Sequence, residues 1–293
     1  MYGAIAANKR NTVLIMAAFI GLVGAVGYAF SLYYGNTSIT PWVIGAAFVY
    51  ALVQYFIADK LATMATGAKE IQKKDNPRLY RIVENLAITT GMPTPKVYII
   101  EDDAPNALAT GRKPSKSLVA ATTGLLDIMN DRELEGVMAH EMGHVQNYDI
   151  RVSMIAFGLV SAIGLLSDIA LRMMFWGGSE DRDRNVSPIL VIFGIVLIIL
   201  APIIAALIQL AISRQREYLA DATGALTTRD PEGLASALQK LEKQGKPMQR
   251  QSTSTSHLFI NAPLKPGALA ALFSTHPPLE ERIKRLRENE RKI

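Results

Sequence analysis

Two uncharged runs open the chain. No charged residue occurs from Val13 to Leu32, a turn-like stretch follows over Tyr33–Pro41, and a second uncharged run covers Trp42–Ala58. A helix needs about 20 residues to cross about 30 Å of hydrocarbon, so both runs are predicted as transmembrane helices. The first exceeds the roughly 7 to 15 apolar residues of a signal-peptide core, and a second span follows closely, which disfavours a cleaved leader. Two further apolar stretches, Val152–Leu171 and Pro188–Ile212, flank a polar loop containing Glu180, Asp181, Arg182, Asp183 and Arg184. The fourth stretch is the stronger. The third carries serines and Asp168, so it is expected either to span or to lie as a protein-buried hairpin.

The intervening segments are soluble in character. Leu79, Ile82, Val83, Leu86 and Ala87 recur with helical spacing and predict a helix over Pro77–Thr90, broken by Gly91-Met92-Pro93-Thr94-Pro95. Lys96–Ile100 and Ser117–Thr122 are β-rich and bounded by Pro and Gly, as short strands are. Asp131–Asp149 reads as a helix opened by Asn130 or Asp131, with Glu133 favouring the positive end of its dipole. Beyond Ser213 the chain is polar again, with the stretch Gln249–Ser256 and a basic terminal helix over Leu279–Lys292. The predicted organisation is therefore two transmembrane helices in 1–58, a first soluble part in 59–151, a transmembrane hairpin in 152–212 and a second soluble part in 213–293.

Composition supports this division. Of 293 residues, 49% are hydrophobic and only 19% charged, a low charged share for a soluble protein. The net charge of +5 could suggest nucleic acid, but basic residues beside apolar spans also set membrane orientation. The second reading is preferred, and no nucleic-acid partner is expected. With no cysteine, a transition metal has only His and carboxylate ligands available.

His140-Glu141-Met142-Gly143-His144 is an H-E-x-x-H pattern. Positions i and i+4 share one helix face about 6 Å apart along the axis, so both imidazoles can reach one metal ion. Glu141 is turned beside the metal, where it can take a proton from a metal-activated water attacking a peptide carbonyl. A catalytic zinc site keeps three protein ligands and an open fourth position. Glu217 is the best third candidate. It lies in Ser213–Asp221, and Asp221 sits four residues on, placed to orient a ligand histidine as outer carboxylates do. His276, before Pro277-Pro278, is weighed equally as an oxyanion donor or resting-state cover and as a plain helix-start turn. His257 is read as structural.

An even number of crossings must separate His140 from Glu217, and the third and fourth spans supply two. Lys9, Arg10, Lys60, Arg151, Arg214 and Arg216 then flank the membrane on the metal side, which predicts a cytoplasmic site. At about 1.5 Å per helical residue the metal is expected within about 15 Å of the bilayer surface.

With these features the sequence resembles the HtpX family of membrane-bound zinc metalloproteases, with a more distant likeness to the CAAX prenyl proteases. The likeness rests on Asn106-Ala107-Leu108-Ala109-Thr110-Gly111, the block from His140 to Asn147 with Asp149, Ser213–Asp221, Ser256-His257-Leu258-Phe259-Ile260 and Thr275-His276-Pro277. It implies one Zn2+ per subunit on His140, His144 and Glu217, with Glu141 as base. It implies membrane-protein or peptide substrates in protein quality control, with a multi-pass location in the cell membrane. It also implies that Asn106–Gly111 and Ser117–Thr122 line the cleft, where an edge strand could pair with extended substrate. Leu108 stands where an aromatic is common, and Met142-Gly143 where Ile-Ser is usual. The expected fold is α+β and mainly helical: an integral membrane protein with about four transmembrane helices and a zincin-like metalloprotease domain holding a small β-sheet. The competing readings are a CAAX-type prenyl protease, which would need more spans, and a non-catalytic membrane scaffold with a structural metal, which would need no Glu141.

Overall fold

The computed structural model describes residues 2–33, 36–155, 158–159, 162, 214–249, 258–261 and 277–290. Most of the third predicted span, all of the fourth, the loop between them, and His257 and His276 lie outside the described residues. Contacts divide the chain into two units. One comprises Met1–Lys9, Ile57–Met154 and Ile212–Ile293, and the other Arg10–Phe56 and Ile155–Ala211.

The second unit contains most of helices α1 (Tyr2–Tyr33) and α2 (Ile39–Thr66). Residues Thr40–Ile57 of α2 are long and apolar enough to cross a membrane. Val13, Leu14, Trp42, Phe48, Val49 and Phe56 face outward, whereas Ile15, Phe19, Ala47 and Ala51 are buried. Gly27 permits close approach of the two helices, because a Cβ there would stand 2.7 Å from Cγ1 of Val43.

The first unit is a four-stranded sheet with helices around it. Strand β1 (Lys69–Glu70) pairs antiparallel with β2 (Lys96–Ile100), β2 pairs parallel with β4 (Lys116–Thr122), and β4 pairs antiparallel with β3 (Ala107–Lys113). The order β1-β2-β4-β3 leaves β3 at one edge. Periodicity missed β3 because Ala-Leu-Ala-Thr-Gly-Arg-Lys carries few β-branched or aromatic residues. Helix α3 (Pro77–Thr90) has Asn76 as its N-cap, Pro77 in its first turn, and Gly91 at φ 66° ending it.

A short helix, α4 (Thr123–Ile128), leads into α5 (Asp131–Asn147), which is opened by a capping box between Asn130 and Glu133. The α5 helix stops at Asn147, two residues short of expectation, because Tyr148 turns left-handed at φ 61° before helical conformation resumes at Asp149. Helices α6 (Arg214–Thr228), α7 (Pro231–Gln244) and α8 (Leu279–Glu290) complete the described elements. Val83, Leu86, Val119, Leu134, Met138, Leu238 and Leu286 belong to one buried core around α5. Two glycines bring neighbours close to that helix. A Cβ at Gly136 would lie 2.7 Å from the backbone nitrogen of Leu234, and one at Gly224 would lie 3.0 Å from that of His140.

Candidate metal centre

Helix α5 presents His140 and His144 one turn apart, and α6 brings Glu217 against them. The donor atoms of these three residues all fall within 4.8 Å of one another. Nε2 of His140 is 3.2 Å from Nε2 of His144, while Glu217 oxygens lie 3.3 Å from His144 Nε2 and 3.8 Å from His140 Nε2. Metal bonds of about 2.0–2.2 Å at tetrahedral angles separate ligand atoms by about 3.3 Å, so the three donors fit one small cation. Two imidazole nitrogens and a carboxylate oxygen are also a donor set suited to zinc.

Each histidine is held from behind. Asp221, four residues beyond Glu217 on α6, has Oδ1 2.9 Å from Nδ1 of His140. Asp149 has Oδ2 3.1 Å from Nδ1 of His144. With Nδ1–H donating to a carboxylate, each ring keeps Nε2 free for the shared centre. Asp149 becomes available because the left-handed Tyr148 folds the chain back past the end of α5.

Arg282 on α8 is fully buried. It donates through Nε and Nη2 to the two oxygens of Asp221, at 2.9 and 2.6 Å, and its Nη1 is 3.5 Å from Oε2 of Glu217. Burial alone would raise the Asp221 carboxyl, yet Arg282 and His140 hold it down at about 2. The same carboxylates outweigh the effect of burial on Arg282 and keep it charged. Sequence reading treated α8 as a basic terminal helix and overlooked this residue. A signal existed: Arg282 falls on the stripe Leu279, Ile283 and Leu286, the inward face of α8.

Glu141 follows His140 on α5 and is 2% exposed. Burial pushes its carboxyl up to about 7, with His144 opposing and Glu217 adding to the rise. The backbone N–H of Ala109 on edge strand β3 also opposes the rise. Burial and Arg282 lower His140 to about 4, although Asp221 opposes them. His144 is raised because Glu217 and Asp149 overcome burial.

Asn106 stands at the start of β3. Its side-chain amide donates to the carbonyl of Asn261 at 2.9 Å and accepts from the Asn261 N–H at 3.2 Å. With the Ile260 N–H donating to Ala107 and Leu108 bridged to Phe259, residues 258–261 lie along the first part of that edge. His276 lies outside the described residues.

The model of peptidase family M48 matches residues 73–290. Proteins named protease HtpX homolog are similar over nearly the whole chain. That of Tropheryma whipplei (strain Twist) is 56% identical over 289 residues, covering 98% of both chains. That of Streptococcus gordonii is 44% identical over 298 residues, covering 98% of this chain and 99% of the relative. Among solved structures, the crystal structure of S. mikatae Ste24p has a similar fold, with a TM-score of 0.53 at 20% identity over 98% of this chain and 67% of that one.

Proposed function

Because the chain belongs to peptidase family M48, alongside the protease HtpX homologs, we propose that it is a membrane-embedded zinc endopeptidase acting on segments of misfolded or damaged membrane proteins. The observation that carries this reading is the convergence of His140, His144 and Glu217 with the buried carboxyl of Glu141 beside them. His140, His144 and Glu217 would hold the metal. When bound, it supplies Lewis acidity that polarises a carbonyl and makes water acidic near neutral pH.

The remaining chemistry belongs to side chains. Asp221 and Asp149 keep Nε2 of the histidines aimed at the centre. Arg282 neutralises the two carboxylates of α6, which would otherwise repel each other in a dry site. Glu141 takes the proton of the attacking water and returns it to the departing amine nitrogen. Its raised carboxyl suits both transfers near neutral pH. A purely structural metal would need no such base, which counts against the scaffold reading.

Membrane embedding is supported by the apolar run in α2 and the outward-facing apolar residues of α1. The basic residues Lys9, Arg10, Lys60, Arg214 and Arg216 favour a cytoplasmic site under the positive-inside rule. A metal chelator should abolish cleavage of an unfolded model substrate by the detergent-solubilised chain, and stoichiometric zinc should restore it. Undiminished cleavage in the chelator would overturn the zinc reading.

A further inference from the structure

Asn8 lies on α1, outside the 73–290 stretch that the family model matches, and yet it is 5% exposed. Its side-chain nitrogen donates to two acceptors. One is the backbone oxygen of Asn147 at 2.9 Å, and the other is Oδ1 of Asp149 at 2.6 Å. These acceptors flank Tyr148, the left-handed residue that ends the metal-ligand helix. One amide group therefore clips both sides of the turn that delivers Asp149.

The other oxygen of Asp149 faces Nδ1 of His144 at 3.1 Å. The chain of contacts thus runs Asn8, Asp149, His144. Lys9 adds a second tie to the same turn, with its ammonium 4.8 Å from the centroid of the Tyr148 ring. The division of the fold agrees: Met1–Lys9 group with the unit that holds the metal ligands, although the uncharged run of α1 does not.

From this geometry we infer that α1 is a working part of the metal centre as well as a membrane span, with Asn8 as a positioning residue that fixes Asp149 and through it the orientation of His144. The inference rests on the zinc-endopeptidase reading. A carboxylate held by a second donor has one rotamer, so the imidazole it bonds keeps one ring orientation. Without the Asn8 amide, Asp149 can rotate and the His144 ring is freed to turn. Helix α1 is then coupled to the catalytic centre through three side chains.

The test uses the full chain in detergent and the variants Asn8→Leu, which keeps the branching at Cγ and removes the donor, and Asn8→Asp, which sets a second carboxylate against Asp149. Three quantities are read: zinc affinity by competition with a chromophoric chelator, the visible absorption bands of the cobalt(II)-substituted chain, and thermal unfolding of the metal-free chain. Outer partners of metal ligands are worth about 10- to 100-fold in affinity, and Asn8 acts one bond further out. Asn8→Leu is expected to weaken zinc binding about fivefold to tenfold and to shift and broaden the cobalt bands, with Asn8→Asp weaker again. An affinity within about twofold of the parent and an unchanged cobalt spectrum in both variants would overturn the inference, even if the metal-free chain melted earlier. That pattern would mark Asn8 as an anchor only. If the parent chain itself bound no zinc, the underlying reading would fail instead, so the two failures are distinguishable.

Discussion

Arg282 carries a permanent charge in a fully buried position, and desolvation makes that costly unless both neighbouring carboxylates answer it. Removing it strands Asp221 and Glu217 together in the same dry space. Arg282→Ala should therefore destabilise the fold by about 3–5 kcal/mol in denaturant unfolding, with Arg282→Lys intermediate because it keeps the charge and loses the two-pronged geometry. A loss below about 1 kcal/mol for Arg282→Ala would mean the carboxylates are satisfied without it. Legibility at this scale followed periodicity. The i, i+4 spacing of His140 and His144, and of Glu217 and Asp221, projects each pair onto one helix face, so sequence alone proposes them as partners. Asp149 and Asn8 act across a turn or from a remote helix, and their types are common on solvated surfaces, so tertiary packing is what reveals their roles, whereas Arg282 was marked in the sequence only by its place on the apolar stripe of α8.

At the scale of elements, α5 is the member on which the others converge, and its N-terminus is secured by Glu133. That carboxylate accepts from the Asn130 N–H at 2.9 Å, from Ser236 at 2.9 Å and from Lys240 at 2.6 Å, so it caps α5 and ties it to α7. Burial alone would raise Glu133, but Lys240, the cap N–H and Ser236 together lower it below its ordinary value of 4.5. A carboxyl lowered in the folded state contributes stability above its unfolded pKa and loses that contribution as pH falls through the folded value. Glu133→Gln should thus cost about 1–2 kcal/mol at pH 7, and the gap to the parent should shrink as pH falls below the ordinary value of 4.5 and through the lowered folded one. A gap independent of pH would show that shape, not charge, is at work there. Helix α3, strands β2 and β4 and the start of α5 were legible because caps, glycines and β-branched residues mark them locally. Strand β3 was not legible as a strand, the family likeness having placed Asn106–Gly111 only at the cleft, since its Ala-rich sequence becomes a strand by pairing with β4 and packing against α5. The close approach of α6 to α5 depends on Gly224, whose role is invisible until the two helices are docked.

At the scale of the whole molecule, the chain belongs to M48 from residues 73 to 290, and its hydrophobic pattern separates apolar runs from polar segments along the sequence. The uncharged runs Val13–Leu32 and Trp42–Ala58 lie within α1 and α2, which the structure extends beyond the runs at both ends. Lengthening of α2 to Thr66 was not legible, because Asp59 and Lys60 mark the end of the apolar run without ending the helix. The central claim joins all three scales: a metal held by two helices, oriented by outer carboxylates, with a buried glutamate that moves the proton. Its most direct test is Glu141→Gln in the full chain reconstituted in liposomes with a membrane-protein substrate. The account predicts that this variant keeps about one zinc per chain and loses cleavage by at least about a hundredfold. Cleavage continuing at the parent rate with zinc still bound would contradict it.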